Sequence, residues 1–151
     1  MGRSRSAAKA AGSRMERAVA DYLAYHIDER IDRRAKTGAK DKGDIAALRV
    51  HRQRVVVEVK DTAKLNIGPH LREAETERQN DDDALAGLVV QKRTGIGVSN
   101  MVGIGQQLVT MTLRDLVAII EGVRPDDGAA DAVIASLAKS AAEGADEVPT
   151  F

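Results

Sequence analysis

The sequence contains no cysteine and no tryptophan, and its aromatic residues are two tyrosines and one phenylalanine. Without cysteine the chain has no disulfide bond, no thiol nucleophile and no thiolate ligand, so any metal ion must be held by oxygen or imidazole. With so few aromatic side chains it cannot build the surfaces on which single-strand binders stack bases. No apolar run is long enough to cross a bilayer, and the basic first residues lack the apolar segment of a secretory signal. We therefore expect a cytoplasmic protein without a membrane partner.

The chain also has no net charge, because 23 lysines and arginines cancel 23 aspartates and glutamates. This cancellation hides an asymmetry along the sequence. Residues 1–60 hold 15 basic residues against 8 acidic ones, whereas residues 99–151 hold 3 against 8. A basic half next to an acidic half predicts a phosphate-binding surface in the first half of the chain. Random scatter of charge is the alternative.

The length of 151 residues is sufficient for one domain with a single core. Residues 1–12 are basic and show no apolar periodicity, which predicts a flexible arm. Residues 13–124 contain the periodic segments and are predicted to form the folded domain. Residues 125–151 are acidic and rich in alanine, and we expect a tail that is partly mobile or forms one short helix.

Periodicity and turn residues predict the elements of the folded domain. Helices are predicted over residues 13–28, 69–80 and 113–121, and the second of them is highly charged and expected to be mostly exposed. Residues 44–50 and 54–60 are rich in branched side chains and predict a β-hairpin with a three-residue turn, and further strands are predicted over 86–91 and 107–112. This order predicts an α/β fold in which helices flank a mixed central sheet. The glycine pairs between residues 94 and 105 lack a complete phosphate-loop or dinucleotide motif, so we expect no nucleotide cofactor.

The most informative cluster consists of Asp44, Glu58 and Lys60. Alternation places Glu58 and Lys60 on one face of their strand. With the three-residue turn, Asp44 lies opposite Lys60 and roughly 7 to 8 Å from Glu58 along the diagonal, so both carboxylates can reach one cation. A slip of one residue would turn Asp44 to the other face.

Two neighbouring carboxylates repel each other and are typical of a site for a hard divalent cation such as Mg²⁺. Lys60 beside them can hold a water or stabilise an oxyanion. A surface hairpin with an ordinary ion pair between Asp44 and Lys60 is the alternative. Glu16 lies within the apolar stripe of the first helix and needs a partner. That partner is either the backbone of Ser13, through a capping box, or the metal site, directly or through water.

The order of these residues resembles the PD-(D/E)XK nuclease superfamily. Its signature is a helix glutamate, an aspartate at the start of a strand and an E-x-K motif on the next strand, which match Glu16, Asp44 and Glu58-Val59-Lys60. The compact size and basic first half are most similar to the Holliday junction resolvases of archaea and phages. The resemblance covers residues 13 to about 121. Lys42-Gly43 departs from the signature, which has proline before the aspartate.

The resemblance implies a restriction-endonuclease-like core and a Mg²⁺ site, in which Mn²⁺ can substitute. Asp44, Glu58 and the Val59 carbonyl would bind the metal, with Glu16 completing the site. Lys60 would position the attacking water, and Gln91 would correspond to a further polar residue of the active site. The three histidines lack a metal-ligand spacing and are expected to be structural or exposed.

These parts predict a metal-dependent, structure-selective DNA endonuclease that hydrolyses phosphodiester bonds in branched double-stranded DNA. Two symmetric cuts at a four-way junction need two sites, so a homodimer is expected, in the host cytoplasm if the protein is phage-encoded. The alternatives are a repair or restriction-type nuclease and a non-catalytic DNA-binding protein. Basic residues near the site are expected to contact phosphates rather than bases, or else to form a solvated loop. They are Arg14, Arg33, Arg34, Lys36, Lys40, Lys42, Lys92 and Arg93.

Overall fold

In the computed structural model, which describes residues 2–36 and 38–144, five helices and six strands follow one another along the chain. They are α1 (Arg5–His26), β1 (Asp32–Arg33), β2 (Ile45–Ala46), β3 (Arg49–Val50), β4 (Gln53–Lys60), α2 (Ile67–Asn80), β5 (Ala86–Gln91), α3 (Met101–Gly105), β6 (Leu108–Thr110), α4 (Leu113–Glu121) and α5 (Asp127–Gly144).

Four of the described strands form a mixed sheet in the order β3-β4-β5-β6. The central strands β4 and β5 are parallel, and the outer strands β3 and β6 run antiparallel to their neighbours. Strands β1 and β2 form a separate antiparallel pair. The prediction of an α/β fold with a mixed sheet flanked by helices is confirmed. Because β4 and β5 are parallel and Lys60 pairs with Gln91, the carboxyl ends of both strands lie side by side.

The two faces of strand β4 differ in polarity towards its carboxyl end. Met15 and Val19 of α1 are buried in one core cluster with Val55, Val57 and Val59, whose side chains share a face of β4. Burying a valine of this kind contributes roughly 1.5 to 3 kcal/mol. Alternation sends the side chains at positions 58 and 60 to the opposite face. The sheet is thus held to α1 by aliphatic packing, and the face turned towards α2 is apolar at Val56 and charged at the carboxyl end of β4.

Helix α2 lies unusually close to the sheet because of one glycine. A Cβ atom at Gly87 on β5 would lie 2.8 Å from the carbonyl oxygen of Ala74 on α2, too close for any other residue without movement of the backbone. Glu73, the residue before Ala74 on α2, contacts Lys60. The prediction that this helix is mostly exposed is therefore wrong for its sheet-facing side, where Ala74, Glu77 and Arg78 are buried.

The first helix starts earlier than the sequence pattern predicted. It begins at Arg5, where the hydroxyl of Ser4 accepts a hydrogen bond from the amide of Ala7 at 3.2 Å, and Ala11 is buried. The prediction of a flexible arm is therefore wrong for residues 5–12, because a serine cap and several alanines favour a helix without an apolar period. Ser13 lies inside the helix, so the predicted capping box with Glu16 is not formed.

The predicted hairpin differs in its turn and in its register. His51 and Arg52, with φ of 50° and 64°, form a two-residue turn, so Val50 pairs with Gln53 instead of Arg54. The strand predicted over 44–50 is divided into β2 and β3, because Ala47 between them has a φ of 67° and interrupts the ladder.

The second half of the chain agrees more closely with the predicted elements. Strand β5 and helix α4 occupy the predicted residues, and α4 begins with a capping box between Thr112 and Asp115 and ends at Gly122. Strand β6 is shorter than predicted, and α3 lies within the glycine-rich segment. Helix α5 is an exposed 18-residue helix, longer than the short one expected, and residues 145–151 of the predicted tail lie outside the described residues. Among the described residues, no helix combines the length and apolar character needed to cross a bilayer.

Candidate active site

Asp44 is fixed by the backbone of β4. Its Oδ2 accepts a hydrogen bond from the Val59 amide at 2.8 Å, and its own amide donates to the Val57 carbonyl at 2.9 Å. The residue before it, Gly43, has a φ of 86°, and a Cβ there would lie 2.8 Å from Cγ1 of Val56. Glycine at position 43 therefore allows the chain to approach β4 closely enough for the Asp44 carboxylate to reach it.

Asp44 and Glu58 meet although the predicted register is wrong. Both residues are buried, and the Asp44 carboxylate is bound to the amide of Val59, the residue after Glu58, so that each carboxyl acts on the pKa of the other. The irregular backbone at Ala47 lies between the shifted turn and Asp44, and it brings Asp44 back to the Glu58 side of β4. A one-residue slip at the turn was expected to abolish this contact, and the interruption of the ladder explains why it does not.

Lys60 contacts two carboxylates at the end of β4. Its Nζ lies 2.6 Å from Oε1 of Glu58 and 2.6 Å from Oε2 of Glu73. Lys60 therefore pairs with Glu58 of its own strand and with Glu73 of α2, and the alternative expectation, a cross-strand ion pair with Asp44, is not met.

Helix α2 adds two carboxylates to the cluster. Glu73 and Glu77 are four residues apart and share one face of the helix. One carboxylate oxygen from each of Glu58, Glu73 and Glu77 lies within 4.8 Å of the other two. Glu77 is 2% exposed, whereas Glu73 lies at the solvent edge. We define the acidic cluster as Asp44, Glu58, Glu73 and Glu77; among the described residues its ion pairs involve a single cation, Lys60.

Burial and like charge disturb the titration of these groups. Burial raises the pKa of Glu58 to about 7, and the charge of Asp44 adds to this effect. Burial also raises the pKa of Glu77 to about 9, reinforced by the charge of Glu58. The pKa of Asp44 is raised by burial and by the charge of Glu16, although the Val59 amide opposes the shift. Burial lowers the pKa of Lys60, but its hydrogen bonds to Glu58 and Glu73 outweigh this and raise it.

Glu16 has a partner other than the two that its position in the sequence predicts. Its Oε2 accepts hydrogen bonds from Nε and Nη2 of Arg33, at 3.1 and 2.5 Å. The Glu16 side chain is 19% exposed and its charge acts on Asp44, so it lies at the border of the acidic cluster. The expected partner Ser13 is replaced by Arg33 of β1.

Gln91 is buried beside the cluster and orients a histidine. The hydroxyl of Thr110 donates to Oε1 of Gln91 at 2.9 Å, so Nε2 of Gln91 is free to donate to Nδ1 of His70 at 3.0 Å. This chain of hydrogen bonds places the proton of a neutral His70 on Nε2. Burial and the charge of Lys60 lower the pKa of His70, which favours that neutral form.

Some of the basic residues predicted to contact phosphates have partners within the protein. Arg33 pairs with Glu16, and both Arg34 and Lys42 pair with Asp81, at 3.2 and 3.7 Å. These three side chains are therefore partly committed to holding β1 and the following loop in place.

The other predicted basic residues are more open to solvent. The ammonium of Lys92 contacts the carbonyl oxygens of Arg93 and Ile96. The remaining predicted residues are exposed and lie on α1, in the loop after β1 and after β5. They are Arg14, Lys36, Lys40 and Arg93.

Sequence reasoning missed His70, Glu73 and Glu77. Their spacing of three and four residues is visible in the sequence and places all three on one helical face. The small number of apolar residues in this helix predicts a solvated helix. A polar face can be the buried face where the opposing strand also carries charged residues, as β4 does with Glu58 and Lys60.

The donors of the acidic cluster suit a hard divalent cation. Mg²⁺ and Mn²⁺ prefer carboxylate, carbonyl and water oxygens, and cysteine is absent from the chain. Asp44 and Glu58 form a buried pair of carboxylates that repel each other when both are ionised. A cation held by both would remove that repulsion, so the residues fit the metal that the sequence analysis expected.

Comparisons of the sequence with models of protein families, with curated proteins and with solved structures gave no match. We therefore infer function from the chemistry and geometry of the site.

Proposed function

We propose that the protein is a metal-dependent DNA endonuclease that hydrolyses phosphodiester bonds, with branched DNA such as a four-way junction as its substrate. The observation that carries the proposal is the burial of two carboxyls at the backbone of β4, Asp44 held by the Val59 amide and Glu58 paired with the ammonium of Lys60. Carboxylates forced together in this way destabilise a fold unless they bind something positive.

Asp44, Glu58 and the carbonyl of Val59 are the groups proposed to hold Mg²⁺ or Mn²⁺. When bound, the cation would polarise a phosphoryl oxygen and lower the pKa of a coordinated water. The Val59 amide holds the Asp44 carboxylate in place, which limits the movement of this ligand.

Lys60 is proposed to position the attacking water and to stabilise negative charge on the phosphate. Its Nζ is already held by two carboxylates, at 2.6 Å each, so little reorganisation is needed when charge develops nearby. Glu16 adjusts the charge around Asp44, and Gln91 acts through the orientation of His70.

A basic groove next to the site supports a nucleic acid as the substrate. An open cavity of about 660 Å³ is lined by Lys9, Glu16, Arg33 and Lys36, among others. Exposed lysines that border a carboxylate site can bind the phosphate backbone while the scissile phosphate approaches the cluster. The lack of aromatic stacking residues favours a double-stranded substrate. For a four-way junction, a homodimer would present two such sites to two strands.

The test uses the full chain with end-labelled four-way junctions, flaps and linear duplex of matched sequence, each with Mg²⁺ and with chelator. We expect cleavage of the junction in Mg²⁺ and none in chelator. Asp44→Asn and Glu58→Gln should reduce the cleavage rate by at least about 100-fold, since a metal contributes several kcal/mol of charge stabilisation. Glu121→Gln, a charge-matched variant of an exposed residue at the end of α4, should cleave like the wild type.

Each departure from this pattern has a definite meaning. Cleavage in chelator, or wild-type cleavage by Asp44→Asn and Glu58→Gln, would refute the assigned site. Equal rates on linear duplex and junction would favour a repair or restriction-type nuclease. Tight binding without cleavage under any condition would favour a non-catalytic DNA-binding protein.

A further inference from the structure

Two carboxylates of α2 form a group with Glu58 that does not include Asp44. Oxygens of Glu58, Glu73 and Glu77 lie within 4.8 Å of one another. Oxygen ligands around an octahedral Mg²⁺ ion lie about 3 Å apart in cis and about 4 Å apart in trans, so small side-chain movements would bring these three atoms to the spacing of ligands of one cation.

Glu77 supplies an independent indication of a missing partner. Its side chain is 2% exposed, and its Oε2 has no hydrogen-bond partner among the described residues. A buried carboxyl oxygen without a partner is costly. The side chain faces Glu58, so the hydrogen bond that these two residues can share is one between two carboxyl groups, with Glu77 protonated.

Lys60 does not relieve this shortage. Its ammonium contacts Glu58 and Glu73, and it is one cation for three carboxyl groups, of which Glu77 keeps its proton at neutral pH while no metal is bound. A divalent cation that is bound by Glu77 would supply the remaining positive charge. Because Glu73 lies at the solvent edge, such a cation can enter and leave without unfolding of α2.

We propose that Glu58, Glu73 and Glu77 bind a second divalent cation of the Mg²⁺ or Mn²⁺ class, separate from the cation of Asp44 and Glu58. Glu58 is the ligand that both positions share. The inference rests on the proposed function, to which the first cation belongs. A nuclease has a use for a second cation, because paired cations stabilise both the attacking and the leaving oxygen of a phosphodiester. Its own content is cation binding, which is measured without DNA.

The experiment counts Mn²⁺ ions bound to the full chain by electron paramagnetic resonance of free Mn²⁺ during a titration, without DNA. The wild type should bind two ions per chain. Glu77→Gln preserves the shape of the side chain and should weaken one of the two ions by at least about 10-fold. Asp44→Asn should lose the other ion, and Glu58→Gln should lose both.

The control is Glu121→Gln, which removes the same charge from the exposed end of α4 and should bind two ions. That end of α4 packs near Gln53, where β4 begins, and the acidic cluster lies near Lys60, where β4 ends. Circular dichroism melts of the metal-free variants establish that each one is folded before ions are counted.

The outcomes separate the inference from the proposed function. Two ions in Glu77→Gln with wild-type affinity would overturn the inference. One ion in the wild type, lost in Asp44→Asn but kept in Glu77→Gln, would overturn the second position and leave the proposed nuclease site intact. One ion lost in both variants would show a single shared position and would also overturn the inference. Absence of any bound ion in the wild type would overturn both.

Discussion

Two buried carboxylates, Glu77 and Asp81, lie one helical turn apart at the end of α2, and their surroundings have opposite charge. Asp81 is 3% exposed and contacts Arg34 at 3.2 Å, Arg54 at 3.6 Å and Lys42 at 3.7 Å. Glu77 is equally buried but faces other carboxyls. Burial alone therefore does not distinguish these two carboxylates; the charge of the groups around each of them does.

The physical consequences of the two arrangements differ. The carboxylate of Asp81 joins the loop before β2 and strand β4 to the end of α2, so it stabilises the fold. The carboxyl of Glu77 is held in place by the packing of α2 against the sheet, although its charged form is unfavourable there. Groups held in unfavourable surroundings by the rest of a fold are characteristic of functional sites.

The largest effect is expected from removal of the Lys60 ammonium, which pairs with Glu58 and Glu73 in the acidic cluster. Lys60→Met should lower the rate of junction cleavage by at least about 100-fold, because it removes the group proposed to position the water and to stabilise charge. Binding of Mn²⁺ should persist or tighten in this variant, since the carboxylates lose a competing positive charge. Single-turnover cleavage and a Mn²⁺ titration on the same sample measure both quantities. A loss of cation binding together with activity would mean that Lys60 organises the carboxylates and does not act on the substrate.

The next effect concerns the stability of the well-paired carboxylate. Asp81→Asn should lower the free energy of unfolding by about 2 kcal/mol, because it leaves Arg34 and Lys42 without their acidic partner and Arg54 with Asp82 alone. Urea unfolding at pH 7 in chelator measures it. Glu77→Gln on the same helix is the matched variant, and its stability should not fall. Equal destabilisation by both substitutions would refute the distinction between the two carboxylates.

The free energy of unfolding should fall as the pH rises, because of Glu77. Its pKa is raised from 4.5 to about 9, so the folded protein keeps a proton that the unfolded chain releases above pH 4.5. The metal-free protein should therefore lose stability as the pH rises from about 5 to 9, with a slope of up to about 1.4 kcal/mol per pH unit for one proton. Glu58, with a pKa of about 7, acts in the same direction. Urea unfolding at pH 5, 7 and 9 should show a shallower slope for Glu77→Gln, and an unchanged slope would contradict this origin.

The smallest effect is expected from the exposed lysines near the groove. Lys36→Ala and Lys40→Ala should each weaken DNA binding a few-fold and lower the slope of log affinity against log salt by about 1. Fluorescence anisotropy at several salt concentrations measures this slope. Lys139→Ala on α5, where Lys139 pairs with Glu143, is the matched control and should leave the slope unchanged. A slope that is the same for all three variants would exclude Lys36 and Lys40 from the phosphate contacts.

The fold was predictable where local signals and packing agree. Strand β5 is an apolar run, and α4 has a capping threonine at one end and Gly122 at the other, so both were placed correctly. The hairpin register was not predictable, because nothing in the residue type of Ala47 signals a φ of 67°. The start of α1 was missed because residues 5–12 form a helix through alanine propensity and a serine cap, without an apolar stripe.

The candidate site was predictable in its strand residues and not in its helix residues. Alternation was sufficient to place Glu58 and Lys60 on one face. Glu73 and Glu77 required knowledge of which face of α2 touches the sheet, and that depends on the close approach at Gly87. The roles of Asp44, Glu58, Lys60 and Gln91 in catalysis stay predictions.

The most direct test of the central claim compares two carboxylate-to-amide changes in one cleavage assay. Single-turnover cleavage of a four-way junction in Mg²⁺ is measured for Glu58→Gln and Asp81→Asn under conditions in which both are folded. We predict that Glu58→Gln is inactive yet at least as stable as the wild type in chelator, and that Asp81→Asn is less stable yet cleaves at a rate near that of the wild type. Wild-type cleavage by Glu58→Gln would contradict the proposal that the acidic cluster is the active site.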